Sequence, residues 1–122
     1  MSQPTILLID DDNVILEMYE RKLKLNRFKV LKANNGKDGL ELAKKEHPDL
    51  IITDLVMPGN DGFELLQRIK GDKKTQDIPV ITLTNLSNES DRKEVLKLGA
   101  KDYIIKSNFT PAQIVEKVKE FI

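Results

Sequence analysis

Asp10, Asp11 and Asp12 directly follow the apolar run Ile6-Leu7-Leu8-Ile9. Asp54 follows Leu50-Ile51-Ile52-Thr53, Thr84 follows Val80-Ile81-Thr82-Leu83, and Lys106 follows Tyr103-Ile104-Ile105. Carboxylates, a hydroxyl and an ammonium thus recur at one kind of place, the end of a short apolar run. Gathered in one crevice, they would form a cation site beside a nucleophile. Two carboxylates at ~4 Å repel by about 4 kcal/mol at an effective dielectric of about 20. A divalent cation relieves that strain. Magnesium suits the set, because it takes oxygen ligands, keeps several waters and needs only one or two carboxylates plus a phosphate. With Asp10, Asp11 and Asp54 balanced by magnesium and Lys106, an incoming phosphoryl group meets no net negative charge. Asp54 then reads as a nucleophile forming an acyl phosphate. Asp11 reads as a direct metal ligand, Asp10 as a ligand through water, and the backbone carbonyl of Val56 as a further oxygen. Lys106 and Thr84 would each contact a phosphoryl oxygen. Taken singly, the aspartate triplet reads as helix caps, Thr84 as a turn hydroxyl and Lys106 as a surface lysine; it is their joint placement that points to chemistry.

The elements that must position these groups alternate five times. Apolar runs at Thr5–Ile9, Phe28–Ala33, Asp49–Thr53, Ile78–Leu83 and Lys101–Ile105 predict strands. Three are continuously apolar, as in parallel strands covered on both faces, whereas Phe28-Lys29-Val30 alternates like an edge strand. The intervening stretches predict helices over Asn13–Leu25, Lys37–Glu46, Asp61–Lys70, Ser90–Leu98 and Thr110–Ile122. In the first helix Val14, Ile15, Met18, Tyr19 and Leu23 form the expected apolar stripe, with Asp12 or Asn13 as cap. Gly99 is a stop signal, and Thr110-Pro111 a start signal. His47, before Pro48, is expected to act on a helix-end dipole; Met57 and Phe63 read as loop or core residues. Five strand–helix units predict an α/β fold: one doubly wound, five-stranded parallel sheet of flavodoxin-like order 2-1-3-4-5, with helices on both faces. Ligands bind such sheets past the carboxyl ends of the strands, where these candidate residues stand.

Composition narrows the function. The 122 residues carry 20 basic and 20 acidic side chains, so there is no basic surplus of the kind nucleic-acid binders show. The absence of cysteine excludes disulfides and thiolate chemistry, and the lone His47 cannot build a zinc site. The start, Met1-Ser2-Gln3-Pro4, is unlike a signal peptide, and no apolar run reaches membrane-spanning length. The expectation is a cytoplasmic single domain over residues 1–122, with no membrane or direct nucleic-acid partner.

Over nearly its whole length the chain resembles the bacterial response-regulator receiver domain. The resemblance rests on Ile6 to Asp12, Pro48 to Gly62 with its Met-Pro-Gly-x-Asp-Gly turn, Pro79 to Thr84, and Gly99 to Lys106. It implies that Asp54 takes a phosphoryl group from a histidine kinase or histidine phosphotransfer protein, in a two-component phosphorelay. It also implies that Asp10 and Asp11 bind Mg2+, that Thr84 and Lys106 contact the phosphoryl group, and that Tyr103 reorients on activation. Thr84 drawn inward would free space for Tyr103 to turn from exposed to buried, remodelling a face for a downstream protein target. A monomer or a phosphorylation-dependent dimer follows. Such a protein is a phosphoacceptor switch rather than a turnover enzyme. The chain departs from the pattern at Ser107, where the family has a proline often preceded by a cis peptide, and at Asn85, where a small residue is usual. Val56 and Leu86 stand where the family tunes phosphoryl lifetime; both are apolar, so slow self-dephosphorylation is expected. Three other readings compete: a degenerate receiver that only binds partners, a haloacid-dehalogenase-type phosphohydrolase, and a flavin-binding flavodoxin. The hydrolase needs an acid where Val56 stands, and a flavin phosphate would be repelled by the three aspartates.

Overall fold

The computed structural model describes residues 3–57 and 60–122. Pro58 and Gly59 of the quoted turn, and Met1-Ser2, lie outside the described residues, as do the side chains of Asn60 and Asp61. The strands are β1 (Thr5–Ile9), β2 (Lys29–Ala33), β3 (Leu50–Thr53), β4 (Val56–Met57), β5 (Asn60–Asp61), β6 (Val80–Thr84) and β7 (Asp102–Ile105). The helices are α1 (Asn13–Leu25), α2 (Gly36–Glu46), α3 (Gly62–Gly71), α4 (Glu89–Lys97) and α5 (Pro111–Lys119), with a 3-10 turn at Lys106–Asn108.

The main sheet runs β2-β1-β3-β6-β7, parallel throughout. For its five strands this is the expected 2-1-3-4-5 order. The antiparallel pair β4–β5 is an addition that the apolar pattern did not announce. Strand alternation divides the core in two. Ile6, Leu8, Leu50, Ile52, Ile81 and Leu83 face one way, onto Leu16, Tyr19 and Leu23 of α1 and Ile114, Val115 and Val118 of α5. Leu7, Ile9, Ile51 and Val80 face the other, onto Ala43 of α2, Leu65, Leu66 and Ile69 of α3, and Val95 of α4. Both faces of the sheet are therefore covered by helices, which explains the unbroken apolar runs.

Local chemistry sets the element ends. The Asp12 carboxylate accepts from the N–H groups of Val14 and Ile15 and caps α1. Thr110 and Gln113 form a reciprocal capping box at the start of α5, with Pro111 in the first turn. Gly99, at φ 113°, sits just past α4 in the left-handed region glycine tolerates. One expected stripe is corrected. In α1 it is Leu16, Tyr19 and Leu23, spaced at i, i+3 and i+7, that are buried, while Val14 is 75% and Met18 39% exposed. The expected stripe was displaced around the helix: it took in Val14 and Met18 and left out Leu16, which the sheet covers. His47 stands at a helix end, as expected, and has a partner that the sequence did not indicate. It ends α2 in the left-handed conformation, and its ring lies 3.0 Å from the Asp77 carboxylate. Met57 is buried, and Phe63 packs partly buried against the α2–α4 side of the core. No helix among the described residues is long and apolar enough to cross a membrane.

Candidate functional site

The parallel register brings the ends of β1, β3, β6 and β7 side by side. Ile9 pairs with Thr53, and Thr84 with Ile105, so the residues following these strands share one edge. Asp10 and Asp54 are both buried, at 6% and 7% exposure. Lys106 spans between them: its ammonium donates to Asp10 Oδ2 at 2.7 Å and to Asp54 Oδ2 at 2.8 Å. This one cation ties the ends of three strands.

Backbone groups fix the carboxylates. Asp54 Oδ1 accepts from the N–H groups of Leu55 (2.6 Å) and Val56 (3.1 Å), while its own N–H donates to the Ile9 carbonyl. Asp10 Oδ1 accepts from the Asp12 N–H at 3.0 Å. Behind Asp54 the chain reverses so tightly that a Cβ on Gly62 would overlap the Leu55 backbone, so glycine is required there. Asp11 is exposed, yet Asp10, Asp11 and Asp54 each offer a carboxylate oxygen within 4.8 Å of the others.

The electrostatics show what this cluster lacks. Burial raises the Asp10 pKa above 3.8, outweighing the bonds from Lys106 and Asp12, and the Asp54 charge adds to the rise. Burial pulls the Lys106 ammonium down, but the two carboxylates outweigh it and hold it above 10.5. The directions are compatible because one ammonium is shared between two buried anions. Lys106 stays charged, and Asp10 remains undercompensated. A divalent cation at the mouth of the cluster, where Asp11 is exposed, would supply the missing charge. The donor set, all carboxylate, suits a hard cation.

Thr84 and Tyr103 lie to one side. Thr84 is fully buried, and its hydroxyl accepts from the Leu86 N–H at 3.3 Å. The Tyr103 hydroxyl donates to the Leu86 carbonyl at 2.6 Å, and its ring is buried. The structure therefore records Tyr103 in the inward orientation. Both residues expected to switch meet at the two backbone groups of Leu86, a junction no spacing rule indicated. Asn85 is exposed beside the site, and Val56 projects into solvent. The described peptide bonds, Lys106–Ser107 included, are all trans. A concavity of about 710 Å³ lies elsewhere, between α1, the end of β2 and α2. None of the site carboxylates lines it, and the chemistry outlined above needs an ion site rather than a deep pocket.

Comparisons with known proteins agree with this geometry. The family model described as response regulator receiver domain matches residues 6–119. A probable transcriptional regulator, ycf27, of Porphyridium aerugineum is 38% identical over the whole chain, which spans 49% of that protein. The phosphate regulon transcriptional regulatory protein PhoB of Pseudomonas aeruginosa is 38% identical over 94% of the chain and 50% of its own length. The chain thus spans about half the length of the curated relatives it matches. The chemotaxis response regulator CheY4 of Vibrio cholerae superposes with a TM-score of 0.90 at 25% identity, covering 99% of this chain and all of that one. Five parallel strands in this order, the cluster at their ends and a family match over residues 6–119 place the chain among the response-regulator receiver domains.

Proposed function

We propose that this receiver domain is an active magnesium-dependent phosphoacceptor, with Asp54 as the group phosphorylated by a histidine kinase or histidine phosphotransfer protein. The observation that carries this reading is the buried Asp10–Lys106–Asp54 cluster, two anions sharing one cation, with Asp11 beside them. Asp11 and Asp54 would hold the ion directly, Asp10 through water, and the Val56 carbonyl would complete the protein ligands. Bound there, magnesium supplies charge neutralisation to the transferred phosphoryl oxygens. The Asp54 carboxylate attacks phosphorus, the phosphorus–nitrogen bond of the donor breaks, and an acyl phosphate forms. Lys106 swings from ion pairing with carboxylates to pairing with a phosphoryl oxygen, and the Thr84 hydroxyl donates to another.

The switch follows from Leu86. When Thr84 turns to the phosphoryl group it gives up the Leu86 N–H. The Leu86 carbonyl that anchors Tyr103 then moves with its own peptide plane. This biases Tyr103 between inward and outward orientations and reshapes the surface of α4, β7 and α5 for a downstream target. The domain acts as a switch rather than a turnover enzyme, in the cytoplasm, as a monomer or a phosphorylation-dependent dimer, without touching DNA or membrane itself. Val56 and Leu86 carry no group to orient an attacking water, so the acyl phosphate outlasts seconds; label lost within seconds from purified protein would count against this.

The test is intact mass after incubation with magnesium and acetyl phosphate. One added phosphate on the parent chain and none on Asp54→Asn supports the reading. An unmodified parent chain would leave a partner-binding module without phosphotransfer.

A further inference from the structure

Zero net charge conceals a segregation along α1. From Asp10 to Glu20 the chain carries Asp10, Asp11, Asp12, Glu17 and Glu20 and no cation. From Arg21 to Lys37 it carries Arg21, Lys22, Lys24, Arg27, Lys29, Lys32 and Lys37 and no carboxylate. Because α1 has 13 residues, Lys22 and Lys24 near its end, with Arg27 and Lys29 beyond it, stand about 20 Å from the aspartates before its start, whereas Lys32 and Lys37, at the end of β2 and the start of α2, lie at the aspartates' own edge. Thr5 pairs with Lys29, which fixes the first part of the basic block, Lys22 to Lys29, at the edge where the strands begin.

At that edge Lys22, Lys24, Leu25, Arg27 and Lys29 are all exposed, Leu25 at 74%. The ion pairs of this block join Lys24 and Lys32 to Glu20, and no described carboxylate pairs with Lys22, Arg27 or Lys29. Lys22 and Lys24 complement the negative end of the α1 dipole. That explanation does not reach Arg27 and Lys29, which lie beyond the helix, or Leu25, whose neighbours Leu23 and Phe28 are buried. The patch is also held in shape. The N–H groups of Asn26 and Phe28 donate to the Leu23 carbonyl and that of Arg27 to Lys24, with Arg27 at φ 68°. A fixed turn loses little freedom when a partner arrives.

We infer that the end of α1 and the start of β2 form a docking face for an acidic protein segment carrying an apolar side chain, which covers Leu25 while its carboxylates meet Lys22, Arg27 and Lys29. The same features disfavour other polyanions. A bilayer needs more apolar insertion than one leucine provides for stable anchoring. No aromatic side chain is among the exposed large hydrophobic residues, so bases find nothing to stack on. The face lies opposite the phosphoacceptor site, so both can be engaged together.

The test uses the full chain and a fluorescent, glutamate-rich synthetic peptide with one central leucine, with backbone NMR shifts to locate binding. The expected result is saturable binding that shifts the amides of Lys22 to Lys29. Combining Lys22→Glu, Arg27→Gln and Lys29→Glu weakens it at least about tenfold, since close opposite charges dominate such contacts. Leu25→Ser weakens it about fivefold, and replacing the peptide leucine by serine largely removes the difference between the parent chain and the Leu25→Ser variant. Thermal unfolding confirms that the variants fold, as substitution of exposed residues allows. Three outcomes overturn the inference: an equal loss from reversing Lys73 and Lys74, no dependence on Leu25, or tighter binding of a DNA duplex or phosphatidylserine vesicles at the same residues.

Discussion

Aspartates at the two edges of the sheet have opposite electrostatic fates. At the edge where the strands begin, Asp72 accepts from the Lys74 N–H and lies 3.3 Å from the Lys44 ammonium, and Asp77 lies 3.0 Å from the His47 ring. Water reaches both. The Lys74 amide lowers the Asp72 pKa and His47 lowers that of Asp77. At the other edge Asp10 is buried, and its pKa is raised despite bonds from Lys106 and Asp12. The difference lies in supply. Each exposed aspartate has its own partner, whereas Asp10 and Asp54 share one lysine in a place that water barely enters. A site proposed to take up a cation and a phosphoryl group is left short of positive charge; the exposed pairs are not.

The largest effect that would sharpen this contrast is chemical. Asp54→Asn should reduce phosphate incorporation from acetyl phosphate at least about a hundredfold, whereas Asp77→Asn should leave it unchanged. Intact mass spectrometry reads both. Incorporation surviving in Asp54→Asn would move the acceptor elsewhere.

Next is stability. Lys106→Met removes the cation that two buried carboxylates share. Breaking a buried pair on one side costs about 3–5 kcal/mol, and water at the rim of this cluster reduces that to about 2–3 kcal/mol. Urea unfolding without divalent ions measures it, and magnesium should restore part of the loss. Lys44→Met, at the exposed Asp72 pair, should leave the urea midpoint nearly unchanged.

The third effect depends on pH. The folded pKa of Asp10 lies above the 3.8 of the unfolded chain, so as pH rises through that interval the unfolded carboxylate ionises first. The metal-free protein therefore loses stability on passing upward through that window, and the penalty is absent below it. Asp72 and Asp77, with lowered pKa, act oppositely: their contribution is present above 3.8 and fades as pH falls. Magnesium should stabilise the fold by about 1.4 kcal/mol at ten times its dissociation constant near pH 7. That gain should shrink as the pH falls through the raised Asp10 pKa, and fall in Asp10→Asn. Calorimetry at several pH values checks it, and a gain unchanged across that range would break the comparison.

The sequence already displayed most of this edge. Strands end where their apolar runs end, so Asp10, Asp54 and Lys106 could be read as neighbours once a parallel order was assumed. The helix signals at Asp12, Gly99 and Thr110 were legible because capping is a local matter of one side chain and a few amides. What escaped depends on distant packing. Val14 and Leu16 are equally apolar, and only the sheet beneath α1 decides that Leu16 is buried. The fit of Gly62 against Leu55 and the meeting of Thr84 and Tyr103 at Leu86 join backbone groups whose positions follow from the assembled fold. Sharing of Lys106 was also hidden, since composition counts charges without showing which carboxylates compete for one.

The smallest expected effect concerns Leu86. Tyr103→Phe deletes the hydroxyl that donates to the Leu86 carbonyl at 2.6 Å while keeping the buried ring. A neutral hydrogen bond of this kind contributes about 1 kcal/mol, so unfolding free energy should fall by that amount. The site edge should respond in a second way. With the anchor gone, the inward ring is favoured less, and amide exchange at Leu86 should quicken while the bonds from Leu55 and Val56 to Asp54 persist. Hydrogen exchange followed by NMR separates the two loops. If exchange at Leu55 and Val56 quickened equally, the nucleophile and the switch would be one rigid unit. If only Leu86 responded, Tyr103 would be a latch on the β6–α4 connection, independent of the carboxylate cluster beside it.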